Sequence, residues 1–192
     1  MSTMTRREFG VRISIGILAS GSALLIALLA NNAYGQTIAL ESLVLKPGKA
    51  MPKPYTASGK NISPPLVWRN LPTHTMELAL IFEDIDEPKV HWLIYRIPAS
   101  LPGLPEGLPQ EEVVAHPPRL SGMIQGLTGF KQGGVGYRGP DPPQGKEHRF
   151  RFTLYALNAK LGLLPGLDKE SLLTLIRNHI IGEGQLLVTN RR

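Results

Sequence analysis

The 192-residue chain has 42% hydrophobic and 19% charged side chains, proportions of an ordinary globular protein and not of a disordered one. Its net charge of +6 is spread thinly, with no basic run interleaved with aromatics, which argues against a nucleic-acid surface. The absence of cysteine excludes thiol chemistry and cysteine-ligated zinc but does not fix the compartment.

The N-terminus, MSTMTRREFGVRISIGILASGSALLIALLANNAYGQ, places Arg6, Arg7 and Arg12 before a charge-free apolar stretch from Ile13 to Ala30, with small and polar residues after it. That order is a secretory signal, and Thr5-Arg6-Arg7-Glu8-Phe9 resembles the twin-arginine export motif. Ala33-Tyr34-Gly35 offers small residues for cleavage before Gln36. The alternative is a retained membrane anchor, although Ser14, Gly16, Ser20, Gly21 and Ser22 interrupt the stretch. The expected organisation is therefore a signal helix or anchor over 1–35 and one domain over 36–192, exported to the periplasm or facing it.

Along the mature chain, Ile38–Lys46 reads as a first strand, followed by the Pro-rich stretch KPGKAMPKPYTASGKNISPP. Short apolar runs predict strands over Met76–Phe82 and Val90–Ile97. From Pro98 to Arg138, Gly and Pro without periodicity predict long surface loops. A strand over Arg149–Asn158 is marked by Phe150, Phe152, Leu154 and Ala156 alternating with Arg149, Arg151, Thr153 and Tyr155. Asp168 suits the N-cap of a helix running to His179, with Leu172, Leu173, Leu175, Ile176 and Ile180 as its apolar face. Gly182 and Gly184 end that helix, and Gln185–Thr189 makes a last strand. The fold class is mostly β, an antiparallel core with one C-terminal α-helix.

Polar groups gather in three segments. In IFEDIDEP, Asp84 and Asp86 continue the face of Leu78, Leu80 and Phe82 if the strand stays extended. In VHWLIYRIP, His91 shares a face with Leu93, Tyr95 and Ile97, and in GPDPPQGKEHRF, His148 shares one with Phe150. Singly these patterns describe a solvated turn, a structural histidine and a loop.

Together, GKNISPPLVWRNLP, EDIDEP, HWLIYRIPASLPGLPEGLP and GYRGPDPPQGKEHRFRFTLYALN resemble the phosphatidylethanolamine-binding protein family, in its bacterial Raf kinase inhibitor-like branch. The resemblance runs from about Ile38 to Thr189 and implies a β-sandwich, a large antiparallel-rich sheet packed on a smaller one, with a pocket at one end. By position it implies ligand-binding roles for Asp84, Asp86, His91, Gly139, Pro140, Pro142, His148 and Phe150, and neither cofactor nor metal. The implied ligand is a small anion or a phosphorylated head group, with the histidines and the backbone N–H groups of the Gly-Pro loop as donors. A role as inhibitor or modulator of another protein goes with it, and the alternative is a hydrolase using the same Asp/His cluster as acid, base or metal ligands.

Two departures stand out. Ile85 replaces the proline of the family's Asp-Pro-Asp-x-Pro, which predicts an acidic turn looser by a few tenths to about 1 kcal/mol. Phe150 replaces a tyrosine, and the missing hydroxyl predicts weaker anion binding by about 0.5–1.5 kcal/mol.

Overall fold

The computed structural model describes residues 36–131 and 133–192; the expected signal helix lies outside the described residues. Among those described, no helix is long and apolar enough to cross a membrane. In chain order the strands are β1 (Gln36–Thr37), β2 (Ala39–Glu41), β3 (Leu66–Arg69), β4 (Glu77–Asp84), β5 (Lys89–Pro98), β6 (Gly103–Leu104), β7 (Ile124–Gln125), β8 (Glu147–Leu157) and β9 (Ile180–Arg191), with helix α1 (Lys169–Ile176) before the last. They form a six-stranded sheet in the order β1-β9-β8-β4-β5-β7 and a three-stranded sheet in the order β2-β3-β6. The large sheet is mixed, because β1 runs parallel to β9 while its other pairs are antiparallel.

Strand β4 is central, and its sequence shows why. All eight of its residues are buried, and LALIF at its middle is accordingly a continuous apolar run instead of an alternating one. Leu78, Leu80 and Phe82 join Leu40, Leu66, Trp68, Phe150 and Phe152 in the core between the sheets. Ala79 and Ile81 pack on the opposite side with Leu93, Tyr95, Leu157 and the helix residues Leu172 and Ile176. Small sheet, large sheet and helix thus make three layers. On β8 the predicted alternation holds, with Phe150, Phe152, Leu154 and Ala156 buried.

Several expected boundaries move, each for a physical reason. The first strand is broken in two: the Ile38 N–H donates to the Glu183 carbonyl in the large sheet, and the next residues pair with β3 in the small one. Ser42 ends β2 by accepting from the N–H groups of Val44 and Leu45. The helix stops at Ile176 and passes through a 3-10 turn over Arg177–His179. Asp168 is its N-cap, accepting from the Ser171 N–H. Leu172 and Ile176 face the core, but Leu175 is 48% exposed and Ile180 already belongs to β9. Gly182 and Gly184 lie inside β9, where they admit the crossing chain: a Cβ at Gly184 would stand 2.5 Å from the Ile38 carbonyl oxygen.

The segment from Pro98 to Arg138 is not mere surface loop, since Leu104, Leu108, Val114, Leu120, Met123 and Tyr137 enter the main core. Gln125 secures it. Its fully buried amide accepts from Trp92 Nε1 at 2.7 Å and donates to the carbonyls of Pro109 and Glu111. Gln125→Leu should therefore leave the Trp92 N–H and two carbonyls stranded. We expect a loss of about 1–3 kcal/mol or more, read as a lower urea midpoint with little change in slope.

Candidate functional site

The ends of β4, β5 and β8 meet at Phe150. Asp84 is the last residue of β4 and pairs in register with Phe150, whereas β8 continues beyond it to His148 and Glu147. This overhang carries His148 past the end of β4, where its Nδ1 meets Asp84 Oδ2 at 2.7 Å. Asp84 Oδ1 accepts from the N–H groups of Asp86 and Glu87, at 2.9 and 3.1 Å, closing the turn into β5. Both side chains are well shielded, His148 at 10% and Asp84 at 7% exposure.

His91 arrives by a bulge. Phe82 pairs with Trp92 and Glu83 with Val90, so β5 spends one residue more than β4 and His91 is the extra one. It consequently does not share a face with Leu93 and Tyr95, which pack toward the helix. Its ring meets Phe150 edge-on at 5.3 Å, while the His148 ring lies 6.5 Å from Phe150 and is inclined to it by 29°. Asp84, His91 and His148 therefore gather around one fully buried aromatic ring.

The hydrogen bonds settle what each histidine has left to offer. His91 Nδ1 lies 2.9 Å from the Arg138 carbonyl oxygen, which can only accept, so Nδ1 carries the proton. His148 Nδ1 likewise donates to the Asp84 carboxylate. Nε2 is thus the atom each ring has for an outside group. Burial pushes His91 below its ordinary value of 6.5, against the bond to Arg138 and the charge of Asp84. At neutral pH its Nε2 is a lone-pair acceptor and not the donor that an anion wants.

The Gly-Pro loop forms a wall. The Gly139 N–H donates to Asn61 Oδ1 at 2.7 Å, and the Arg138 N–H to the His91 carbonyl. Pro140 and Pro142 are buried and have no N–H to give. Of the loop residues the resemblance implied, Gly139 thus has its N–H committed and the two prolines have none. Gly139 itself is required by contact, because a Cβ there would come within 2.5 Å of the Tyr55 carbonyl oxygen.

Asp86 stands apart from the cluster. Its carboxylate accepts from the Arg149 backbone N–H at 2.6 Å and from the Arg149 guanidinium, which holds its pKa down at about 2. The chain turns after Asp84, which breaks the parity that the sequence suggested. Ile85 does not leave the turn short of contacts: its N–H donates to the Arg149 carbonyl at 3.0 Å, a bond that proline could not make.

Three side chains that sequence reasoning had not singled out border the cluster. Phe130 meets the His91 ring edge-on at 5.1 Å, and its own ring lies under Arg138 at 4.3 Å and Lys89 at 5.5 Å. They line a hollow of about 500 Å³ with Glu87 and Lys131. Only their nearness in the fold identifies them. Among the described residues, no group of three or more His, Asp or Glu side chains could hold a metal ion.

The depressed His91 sets a sign for stability. Between its native and unfolded values the unfolded chain binds the extra proton, so stability is full above about pH 6.5 and declines as pH falls below it. We expect the urea midpoint to drop across that window. His91→Gln, which can still donate to the Arg138 carbonyl, should flatten the slope.

Comparisons with known proteins agree with this layout. The phosphatidylethanolamine-binding protein family model matches residues 41–191. A UPF0098 protein of Methanothermobacter thermautotrophicus is 41% identical over 145 residues, covering 74% of this chain and 91% of its own. Another, of Aquifex aeolicus, is 34% identical over 166 residues, covering 84% and 92%. The crystal structure of a phosphatidylethanolamine-binding protein homolog from Chlamydia trachomatis superposes with a TM-score of 0.70 at 32% identity, covering 81% of this chain and 98% of its own. Escherichia coli YbcL, at 22% identity, shares the fold with a TM-score of 0.71 over the same shares. This chain, with its mixed large sheet, smaller sheet and short C-terminal helix, belongs to the phosphatidylethanolamine-binding protein family.

Proposed function

We propose that the cluster of Asp84, His91 and His148 binds the phosphate of a small phosphorylated molecule, such as a lipid head group, without transforming it. The observation that carries this reading is the 2.7 Å bond between Asp84 and His148, which fixes one imidazole beside a second on a common aromatic floor. Lys89, Lys131 and Arg138 around the adjoining hollow supply positive charge at its border. A protonated phosphate oxygen suits the lone pair of neutral His91, and the phosphate itself gains that proton near pH 6. Once pH falls below the lowered pKa of His91, its Nε2 also becomes a donor, so both changes favour acid.

Titration with inorganic phosphate and phosphoethanolamine, followed by NMR, tests this. We expect dissociation constants around millimolar, or about −4 kcal/mol, tightening as pH is lowered from 7.5 to 5.5. Binding should be lost in His91→Ala and His148→Ala and strengthened in Phe150→Tyr, which restores a hydroxyl. Unchanged titrations in both histidine variants would sink the assignment.

On the pattern of residues 1–35 we further place the domain outside the cytoplasm. Mass spectrometry of protein from the periplasmic fraction should find a mature chain beginning at Gln36. An intact Met1 on protein from the soluble cytoplasm would overturn that placement.

A further inference from the structure

Strand β5 carries a second bulge, near its other end. Leu78 pairs with Ile97 but Leu80 with Ile94, so one extra residue is accommodated between them. Arg96 lies there at φ 56°, the left-handed region that bulges ordinarily fill with glycine. Glycine would make the same bend without steric cost. An arginine in its place points to a use for the side chain, as strained residues often do.

Arg96 lines a hollow of about 390 Å³ with Met76, Glu77, Ser100, Ser121 and Lys160. It lies at the opposite end of β4 and β5 from the Asp84 cluster, since Glu77 pairs with Pro98 and Asp84 with Lys89. Arg96 is half-buried and Lys160 exposed. The ion pairs among the described residues use Arg69, Lys89, Arg149, Arg151, Lys169 and Arg192, so neither cation of the hollow is spent in one. Glu77 is 8% exposed, and among the described residues its carboxylate accepts one hydrogen bond, from the Leu161 N–H at 3.4 Å. Burial raises its carboxyl above the ordinary range, while that bond, Arg96 and Lys160 act the other way.

A buried carboxylate with spare acceptor capacity and two uncommitted cations therefore face one space. A simple anion there would meet Glu77, and a simple amine would meet Arg96 and Lys160. A molecule bearing both charges satisfies all three. We propose that this hollow binds a small zwitterion of the α-amino acid class, its carboxylate held by Arg96 and Lys160, its ammonium by Glu77, and its apolar side chain against Met76. Methionine suits that wall because it is unbranched and adaptable.

The test is an NMR titration of the full chain at neutral pH with L-leucine, beside 4-methylpentanoate and 3-methylbutylamine, which lack the ammonium and the carboxylate respectively. L-Leucine should shift the amides of Met76, Arg96, Ser100 and Ser121 and leave those of His91 and His148 in place, which separates this site from the phosphate reading. Each comparator should bind about tenfold more weakly or worse. Arg96→Gly should abolish L-leucine binding without lowering the melting temperature, because it removes the charge and relieves the backbone together. Lys160→Ala, at an exposed position, should weaken binding by roughly threefold without unfolding the chain. Glu77→Gln should weaken L-leucine binding but improve that of 4-methylpentanoate. Absence of shifts at these four amides, comparators that bind as well as L-leucine, or full affinity in Lys160→Ala would each overturn the proposal.

Discussion

One carboxylate holds the end of the central strand together. Asp84 uses one oxygen to gather the N–H groups of the turn that follows it and the other to fix the ring of His148. The two tasks depend on each other. With the turn open, the oxygen aimed at His148 would swing away; with His148 absent, a shielded charge would keep only backbone partners. Outside, Asp86 and Arg149 clamp the same turn a second time, and the Ile85 N–H adds a third tie to β8. Histidine placement is thus a by-product of how the strand ends.

Polar chemistry is pushed to the strand ends because the middle of the sheet has no room for it. β4 is covered by the small sheet on one side and by the helix on the other. Where β4 does carry a charge within this sandwich, at Glu83, it is paired with both Arg151 and Lys169. β5 escapes the alternation by bulging twice, and each bulge delivers a side chain capable of ionising, His91 at one end and Arg96 at the other. A bulge re-aims a side chain by bending the strand that bears it.

How much of this could be read from the sequence follows from what kind of contact decides each feature. The alternation of β8 and the apolar run of β4 are local, and both strands were visible. The helix start was visible too, since Asp168 caps it through its own side chain. Strand β3, four residues directly after two prolines, was not, because its pairing with β2 and β6 is what makes it a strand. Gly182 and Gly184 looked like helix terminators because the close passage of Gln36 and Ile38 is a distant fact. At the site, Asp84, His91 and His148, distant in the chain and linked beforehand only by the resemblance, come together around the Phe150 ring. Asp86 is turned toward Arg149, a partner that no local pattern announced, and nothing in the sequence marked Phe130. A single bulged residue defeats any count of parity.

The contact at Gly139 has a consequence for how anything seats against this wall. Backbone atoms of Tyr55, Thr56 and Ala57 stand where its Cβ would be, Asn61 holds its N–H, and the Pro140 carbonyl accepts from Ala57. Two stretches of main chain thus interlock with no flexible side chain between them to yield. Anything that packed against this wall, on the side of His91, would meet a mould already cast, fitting or failing by its outline, with the loop spending nothing on rearrangement.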